Sequence, residues 1–221
     1  MKIAICLPSH SISHARFTHC LSAMVAFTLK ERPELTLETI SVQGTLPRVR
    51  NRLFRDAIGA KADYSLWLDN DHVFPPWALI RLLSLGLPVV GINQPTRSLT
   101  PVPTARNAAL ERIYTTPEQA AAKQVEAVRY MGFGICLIDM AIVATLEENA
   151  RARKRATIYP LFSQMMTPDP DRVVGEDSFF CDLMAELGIA LHIDHWLSWE
   201  TQHLATVPIS MADALEKRPQ Q

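Results

Sequence analysis

Short apolar runs alternate with amphipathic helix-length stretches through the first ninety residues, and this rhythm restricts the fold more than any other feature of the 221-residue chain. Residues 2–7 form an apolar strand. Ser13 suits the cap of a helix that carries Phe17, Leu21, Met24 and Thr28 on one face. Residues 35–42 alternate as a strand does, and Pro47 fits the first turn of a helix continuing through 48–59. Residues 64–68 predict a third strand, Pro75-Pro76 opens a helix to about Leu85, and 87–92 predict a fourth strand. Strand–helix–strand repetition with apolar strands predicts a mainly parallel α/β sheet flanked by helices, because each crossover lays a helix on a sheet face.

The second half is less regular. Residues 94–107 hold three prolines and four serines or threonines, which predicts a long ordered loop or a lid. Residues 125–138 read as extended chain around Gly132-Phe133-Gly134, and 141–155 as a helix ending in a basic cluster. Residues 159–174 read as a proline-bearing loop, 175–187 as a helix and 189–193 as a strand. No repeat or linker interrupts the chain, so the expectation is one domain over 1–210 and a polar, fraying tail over 211–221.

A net charge of −1 excludes a global field that would draw the chain to nucleic acid or an acidic membrane, though local basic patches remain. No apolar run is long enough to cross a membrane, and the amino end is too short a run for a signal peptide. Cys6, Cys20, Cys136 and Cys181 are scattered, which predicts buried free thiols in a reducing cytoplasm rather than a zinc site.

Chemistry concentrates at Leu68-Asp69-Asn70-Asp71, after the third strand. Ligands of parallel α/β sheets bind beyond the carboxyl ends of the strands. Two carboxylates one residue apart can turn toward one hard cation, Mn²⁺ or Mg²⁺, which in turn can hold a diphosphate. A D-x-D tripeptide alone reads first as a solvated acidic turn, and its place after an apolar strand is what favours a cation. In the second helix Val49, Leu53, Phe54, Ala57 and Ile58 define an apolar face, with Arg48, Arg52 and Arg55 opposite. Arg50 falls inside the apolar arc and needs a partner, either an anionic site or an internal salt bridge. Glu176 and Asp177 open a late helix. Acids there favour the dipole, yet Glu176 falls in line with the apolar face and Asp177 at its edge, as a general base in a cleft would. His192, Asp194, His195 and His203 gather near the last strand and could complete a metal site with Asp69 and Asp71; satisfied surface histidines are the plainer alternative.

Together these segments resemble GT-A-type glycosyltransferases close to family 2, over most of the chain to about His203. The order matches: Pro8-Ser9-His10, Gly44 with Arg50-Asn51, Leu68-Asp69-Asn70-Asp71, Gly132-Phe133-Gly134, Gly175-Glu176-Asp177, then Asp194 and His203. The segments from Trp67 to Pro76 and from Pro88 to Gly91, with Pro95-Thr96-Arg97 and Asp194-His195-Trp196, look like small phage and prophage enzymes of this type.

The resemblance implies a nucleotide-sugar donor, UDP-sugar foremost, and Mn²⁺ or Mg²⁺ held by Asp69, Asp71 and His203. Pro8, Ser9, His10, Arg50, Asp69, Asn70, Asp71, Gly132, Phe133 and Gly134 would bind the donor. Asp177 would be the base, with Glu176 beside it, and transfer would invert the sugar. The residue after the metal histidine is usually followed by glycine in the family, and Ala205 departs from that. The acceptor could be a protein, a glycan or a hydroxymethylated pyrimidine in phage DNA. Arg151-Ala152-Arg153-Lys154-Arg155 and Arg48, Arg52 and Arg55 could hold phosphates, or be solvated faces. A metal-dependent phosphoester or nucleotide-sugar hydrolase and a non-catalytic sugar-nucleotide-binding module are the rival expectations.

Overall fold

The computed structural model describes residues 1–9, 13–98, 100–166 and 173–205. The first half runs β1 (Lys2–Ser9), α1 (Ala15–Glu31), β2 (Thr36–Gln43), α2 (Leu46–Gly59), β3 (Tyr64–Leu68), β4 (His72–Val73), α3 (Ala78–Ser84) and β5 (Val89–Gly91). The second half runs α4 (Pro117–Ala121), β6 (Val125–Val128), β7 (Ile135–Asp139), α5 (Ile142–Ala152), β8 (Met165–Met166), β9 (Val173–Val174), α6 (Glu176–Glu186), β10 (Leu191–Asp194), α7 (His195–Glu200) and β11 (Gln202–His203).

Seven strands form one sheet in the order β2-β1-β3-β7-β5-β10-β6. β1 pairs in parallel with β2 and β3, and β10 in parallel with β5. Two strands run the other way: β7 lies antiparallel between β3 and β5, and β6 antiparallel beside β10. The sheet is therefore mostly parallel. Its central antiparallel strand carries the sequence Ile135-Cys136-Leu137-Ile138-Asp139, apolar enough to be covered on both faces.

Alternation along the strands sends neighbours to opposite faces. Leu66 and Leu68 enter the core beneath α1 and α3, with Phe17, Met24 and Leu79. Trp67 enters the other core, with Leu53 and Phe54 of α2 and Phe180 of α6. That second core holds an aromatic group in which Phe133, Phe162 and Phe180 meet at centroid distances of 4.9–5.1 Å.

Local corrections have simple causes. The α1 cap is His14, not Ser13, and Cys20 joins Phe17, Met24 and Thr28 in the buried stripe where Leu21 was expected. α3 starts two residues after the proline pair, at Ala78. Two short helices are additional to the sequence reading. α4 is closed by a reciprocal capping box between Thr116 and Gln119, and α7 by Asp194, whose carboxylate accepts from Leu197 N–H at 3.0 Å. All four cysteines are buried and free. Among the described residues no helix is long and apolar enough to cross a membrane. The tail over 211–221 lies outside the described residues.

Candidate active site

Arg50 is the pivot of the site. α2 turns it inward, where it is 2% exposed. Its Nη2 donates to Asp69 Oδ2 at 3.3 Å. Nη1 lies 3.2 Å from Asp177 Oδ1 and Nε 3.6 Å from Glu176 Oε1, as ion pairs outside hydrogen-bond geometry. The guanidinium sits over the Phe133 ring, 5.0 Å from its centroid. A buried cation in a core is costly unless paired. Here three carboxylates from β3's end and α6's start meet it.

Asp177 faces a cleft of about 460 Å³ lined by Thr104, Arg106, Tyr130, Gly132 and Glu176, among others. Burial raises the Asp177 carboxyl to about 6; Arg50 opposes the rise, while Glu176 and Asp69 add to it. Its Oδ2 accepts from Phe133 N–H at 3.3 Å. This half-buried carboxylate is thus held in place from two sides and titrates near neutrality, as a proton acceptor requires.

On the other side of Asp69 lies a second cluster. The ligand atoms of Asp71, His72 and His203 all fall within 4.8 Å of one another. β4 and β11 pair antiparallel and set His72 opposite His203, whose rings stack at 4.3 Å. His203 Nδ1–H donates to Pro95 O at 2.8 Å, which leaves Nε2 facing Asp71 Oδ2 at 3.4 Å. A backbone bond on one ring nitrogen is how a metal-ligating histidine is usually fixed. His72 Nδ1 stands 3.0 Å from Asp71 Oδ1 but outside hydrogen-bond geometry, and His72 Nε2 is buried with no hydrogen-bond partner. Unsatisfied atoms on one imidazole and one carboxylate, with the His203 imidazole converging beside them, fit a divalent cation.

Burial would raise the Asp71 carboxyl, but the adjacent His203 and His72 rings outweigh it and hold it well below the usual range. Burial likewise disfavours a charged His203, and Asp71 outweighs that and raises its pKa. Arg97 Nη1 also reaches Asp71 Oδ2, at 2.7 Å, from the loop after β5.

The sequence reading missed His72 and Gln94. His72 is fully buried, and its signal was adjacency to Asp71 at the strand end. Gly134 carries no side chain because those two residues occupy the space. A Cβ there would stand 2.0 Å from Gln94 Oε1 and 2.4 Å from His72 Cε1 and Nε2. Gly132 meets Gln94 Nε2 in the same way, at 2.9 Å. The space beside both glycines is taken by protein side chains, and the Gly132 backbone lines the cleft that Asp177 faces. The Phe133 side chain is fully buried with its ring under the Arg50 guanidinium, and its backbone N–H reaches Asp177.

Other expected residues are placed elsewhere. Asp69 turns to Arg50 and lies outside the converging ligand atoms. Of the two readings open for His192, Asp194 and His195, the geometry favours the plainer one, since all three lie outside the cluster of Asp71, His72 and His203. Asp194 is buried against Arg81 and caps α7. His195 is held between Thr115 at 2.9 Å and Glu126 at 3.0 Å. His192 is not in the cluster of Asp71, His72 and His203. The reason is connectivity: the chain turns into α7 after β10, and only β11 carries a histidine back to β4. Pro8 and Ser9 end β1, with Ser41 Oγ donating to Ser9 Oγ at 3.1 Å. Asn70 sits in the turn between β3 and β4, where His72 N–H donates to Asp69 O. His10 lies outside the described residues.

No family model matches the chain, and no curated protein does. Solved structures do match. A197 from STIV is 13% identical, with 95% of this chain and 97% of that one covered at a TM-score of 0.52. A Drosophila β1,4-galactosyltransferase 7 mutant, solved with manganese, UDP-Gal and xylobiose, is 12% identical and covers 100% of this chain and 81% of its own at 0.53. GalNAc-T7 with UDP, GalNAc and Mn²⁺ is 12% identical, with 93% of this chain and 44% of its own covered at 0.51. The chain therefore has the GT-A glycosyltransferase fold, a helix-flanked and mostly parallel α/β sheet.

Proposed function

We propose that the protein is a metal-dependent hexosyltransferase that moves a sugar from a nucleotide-sugar donor, a UDP-sugar foremost, to a hydroxyl acceptor. One observation carries the reading: Arg50 joins a near-neutral carboxylate facing a cleft, Asp177, to the strand end that bears Asp71, His72 and His203. Two fold neighbours were solved with UDP and manganese or with UDP-Gal and manganese, which supports the donor class.

Asp71, His72 and His203 would hold Mn²⁺ or Mg²⁺, which supplies charge neutralisation for a departing diphosphate. Asp69, fixed by Arg50, faces the donor ribose or sugar, while Pro8, Ser9, His10 and Asn70 bound the nucleotide side. The acceptor enters the cleft beside Asp177. Asp177 takes the hydroxyl proton as the acceptor oxygen bonds to the anomeric carbon. The bond from that carbon to the diphosphate oxygen breaks, and its electron pair leaves with the diphosphate. Attack from the side opposite the leaving group inverts the anomeric centre. Glu176 stays paired with Arg50 and disfavours charge on Asp177, which sharpens its basicity. A hydroxymethylated pyrimidine in DNA is the acceptor we would offer first, and four buried free thiols support a cytoplasmic setting.

The test measures UDP release from several UDP-sugars with Mn²⁺, with and without hydroxymethylated DNA, glycans and proteins. Transfer should require an acceptor and should fall about 10²–10⁴-fold in Asp177→Asn while donor affinity holds. Donor consumed equally without any acceptor would make the protein a hydrolase instead.

A further inference from the structure

The chain as a whole is almost neutral, at −1, yet its arginines are not evenly spread. Arg48, Arg52 and Arg55 fall within about 60° of arc on the outer side of α2, opposite Arg50. They line a groove of about 580 Å³ together with Tyr159. A second groove of about 380 Å³, at the carboxyl end of α5, is lined by Arg151 and Arg155 and shares Arg55 and Tyr159 with the first. Two basic clusters about a hundred positions apart in sequence therefore form one continuous track around a single aromatic ring.

Acids do little to neutralise it. Glu147 lines the second groove, and Asp56 stands 3.7–3.8 Å from Arg52 and Arg55. The side chains of Arg52 and Arg55 stay 60% and 65% exposed. Five guanidiniums against two carboxylates leave a net positive strip.

We propose that this track binds the phosphodiester backbone of a nucleic-acid strand. Guanidiniums match phosphate oxygens in a fork, and the half-buried Tyr159, packed on the core with its hydroxyl enclosed, lines both grooves between them. The track has a fixed relation to the candidate site. α2 is about 10 Å thick, with the track on its outside and Arg50 on its inside. Asn51 lies on the track's edge and also binds the 161–162 backbone, accepting from Leu161 N–H at 2.8 Å and donating to Phe162 O at 2.6 Å. A strand held there lies one helix width from Asp69 and Asp177. The inference rests on the transferase reading only for what the strand is presented to, not for its binding.

Fluorescence anisotropy with a labelled 16-nucleotide single strand and its duplex, over 25–200 mM salt, tests the proposal on the full chain. Removing a phosphate contact should lower the slope of log affinity against log salt by about 0.7 for a single strand. R48A/R52A/R55A should therefore lose about 2 from the slope and at least tenfold in affinity at 50 mM salt. R151A/R155A should lose about 1.4 from the slope. Melting temperatures of both variants confirm folding, and UDP–Mn²⁺ stabilisation should match that of the wild type. Unchanged oligonucleotide affinity in folded variants overturns the proposal. So does a polyphosphate of equal charge binding as tightly as the oligonucleotide. Oligonucleotide binding lost in both variants, with no nucleotide sugar ever consumed, upholds the track and removes the transferase reading instead.

Discussion

Replacing Arg50 with Met removes the charge but keeps much of the side-chain length. The consequences follow from its surroundings. The guanidinium is 2% exposed and lies 3.2–3.6 Å from Asp69, Glu176 and Asp177. Removing one partner of a buried ion pair strands the others and costs about 3–5 kcal/mol. For a chain of this size each kcal/mol lowers the melting temperature by about 2–4 °C, so R50M should melt roughly 6–20 °C below wild type at pH 7.5.

The loss has a pH signature. Asp177 titrates near 6 in the folded protein, above the ordinary carboxyl value of 3.8, with Arg50 already pulling it down. Without Arg50 its folded pKa rises further. A group raised on folding favours the folded state at low pH and loses that contribution as pH rises through its folded pKa. The deficit of R50M should therefore be smaller at pH 4.5, where Asp177 is protonated and only Asp69 and Glu176 are left stranded, and largest at pH 7–8. The acidic limb of the pH–rate profile should move up from about 6. Thermal melts at pH 4.5 and 7.5 with a pH–rate series measure both effects. A variant melting within 2 °C of wild type at pH 7.5, or one hurt more at pH 4.5, would refute the ion-pair reasoning.

Mn²⁺ at a hundred times its dissociation constant should stabilise the wild type by about 2.7 kcal/mol, and EDTA should reverse it; Asp71→Ala and His203→Ala should show no such rise in a thermal melt, whereas His195→Ala should keep it. Gly134→Ala drives a methyl to within 2.0–2.4 Å of Gln94 and His72. It should cost about 1–3 kcal/mol and weaken Mn²⁺ stabilisation together, because His72 must move. A melt that falls with the metal response intact would separate His72 from the metal. In the wild type, transfer should fall as pH drops through about 6, since Asp177 is protonated below it; a flat profile from pH 5 to 8 would remove Asp177 as the base.

Much of the architecture was legible in local pattern. The strand at Tyr64–Leu68 matches its expected bounds, because a five-residue apolar run before two acids has one reading as a strand end. The inward Arg50 was legible for a similar reason: a helix has a fixed angular period, so one cation inside an apolar arc stands out. What Arg50 would meet was not. Asp69 and Asp177 are 108 residues apart, and only the insertion of antiparallel β7 between β3 and β5 brings α6 back beside β3's end.

The acidic segment Asp69-Asn70-Asp71 shows the division most clearly. By itself the sequence determined that two carboxylates end an apolar strand, since burial of Leu66, Trp67 and Leu68 leaves the next polar residues to turn outward. Tertiary structure decided that the two carboxylates part company. Asp69 pairs with a buried guanidinium, and Asp71 pairs with two imidazoles, one of them carried in by β11. The same holds for the basic clusters of α2 and α5, which become one track only where Arg55 and Tyr159 meet both. Local periodicity fixes which way a side chain leaves its element; only long-range pairing, paid for by closing loops of a hundred residues, fixes what it finds there.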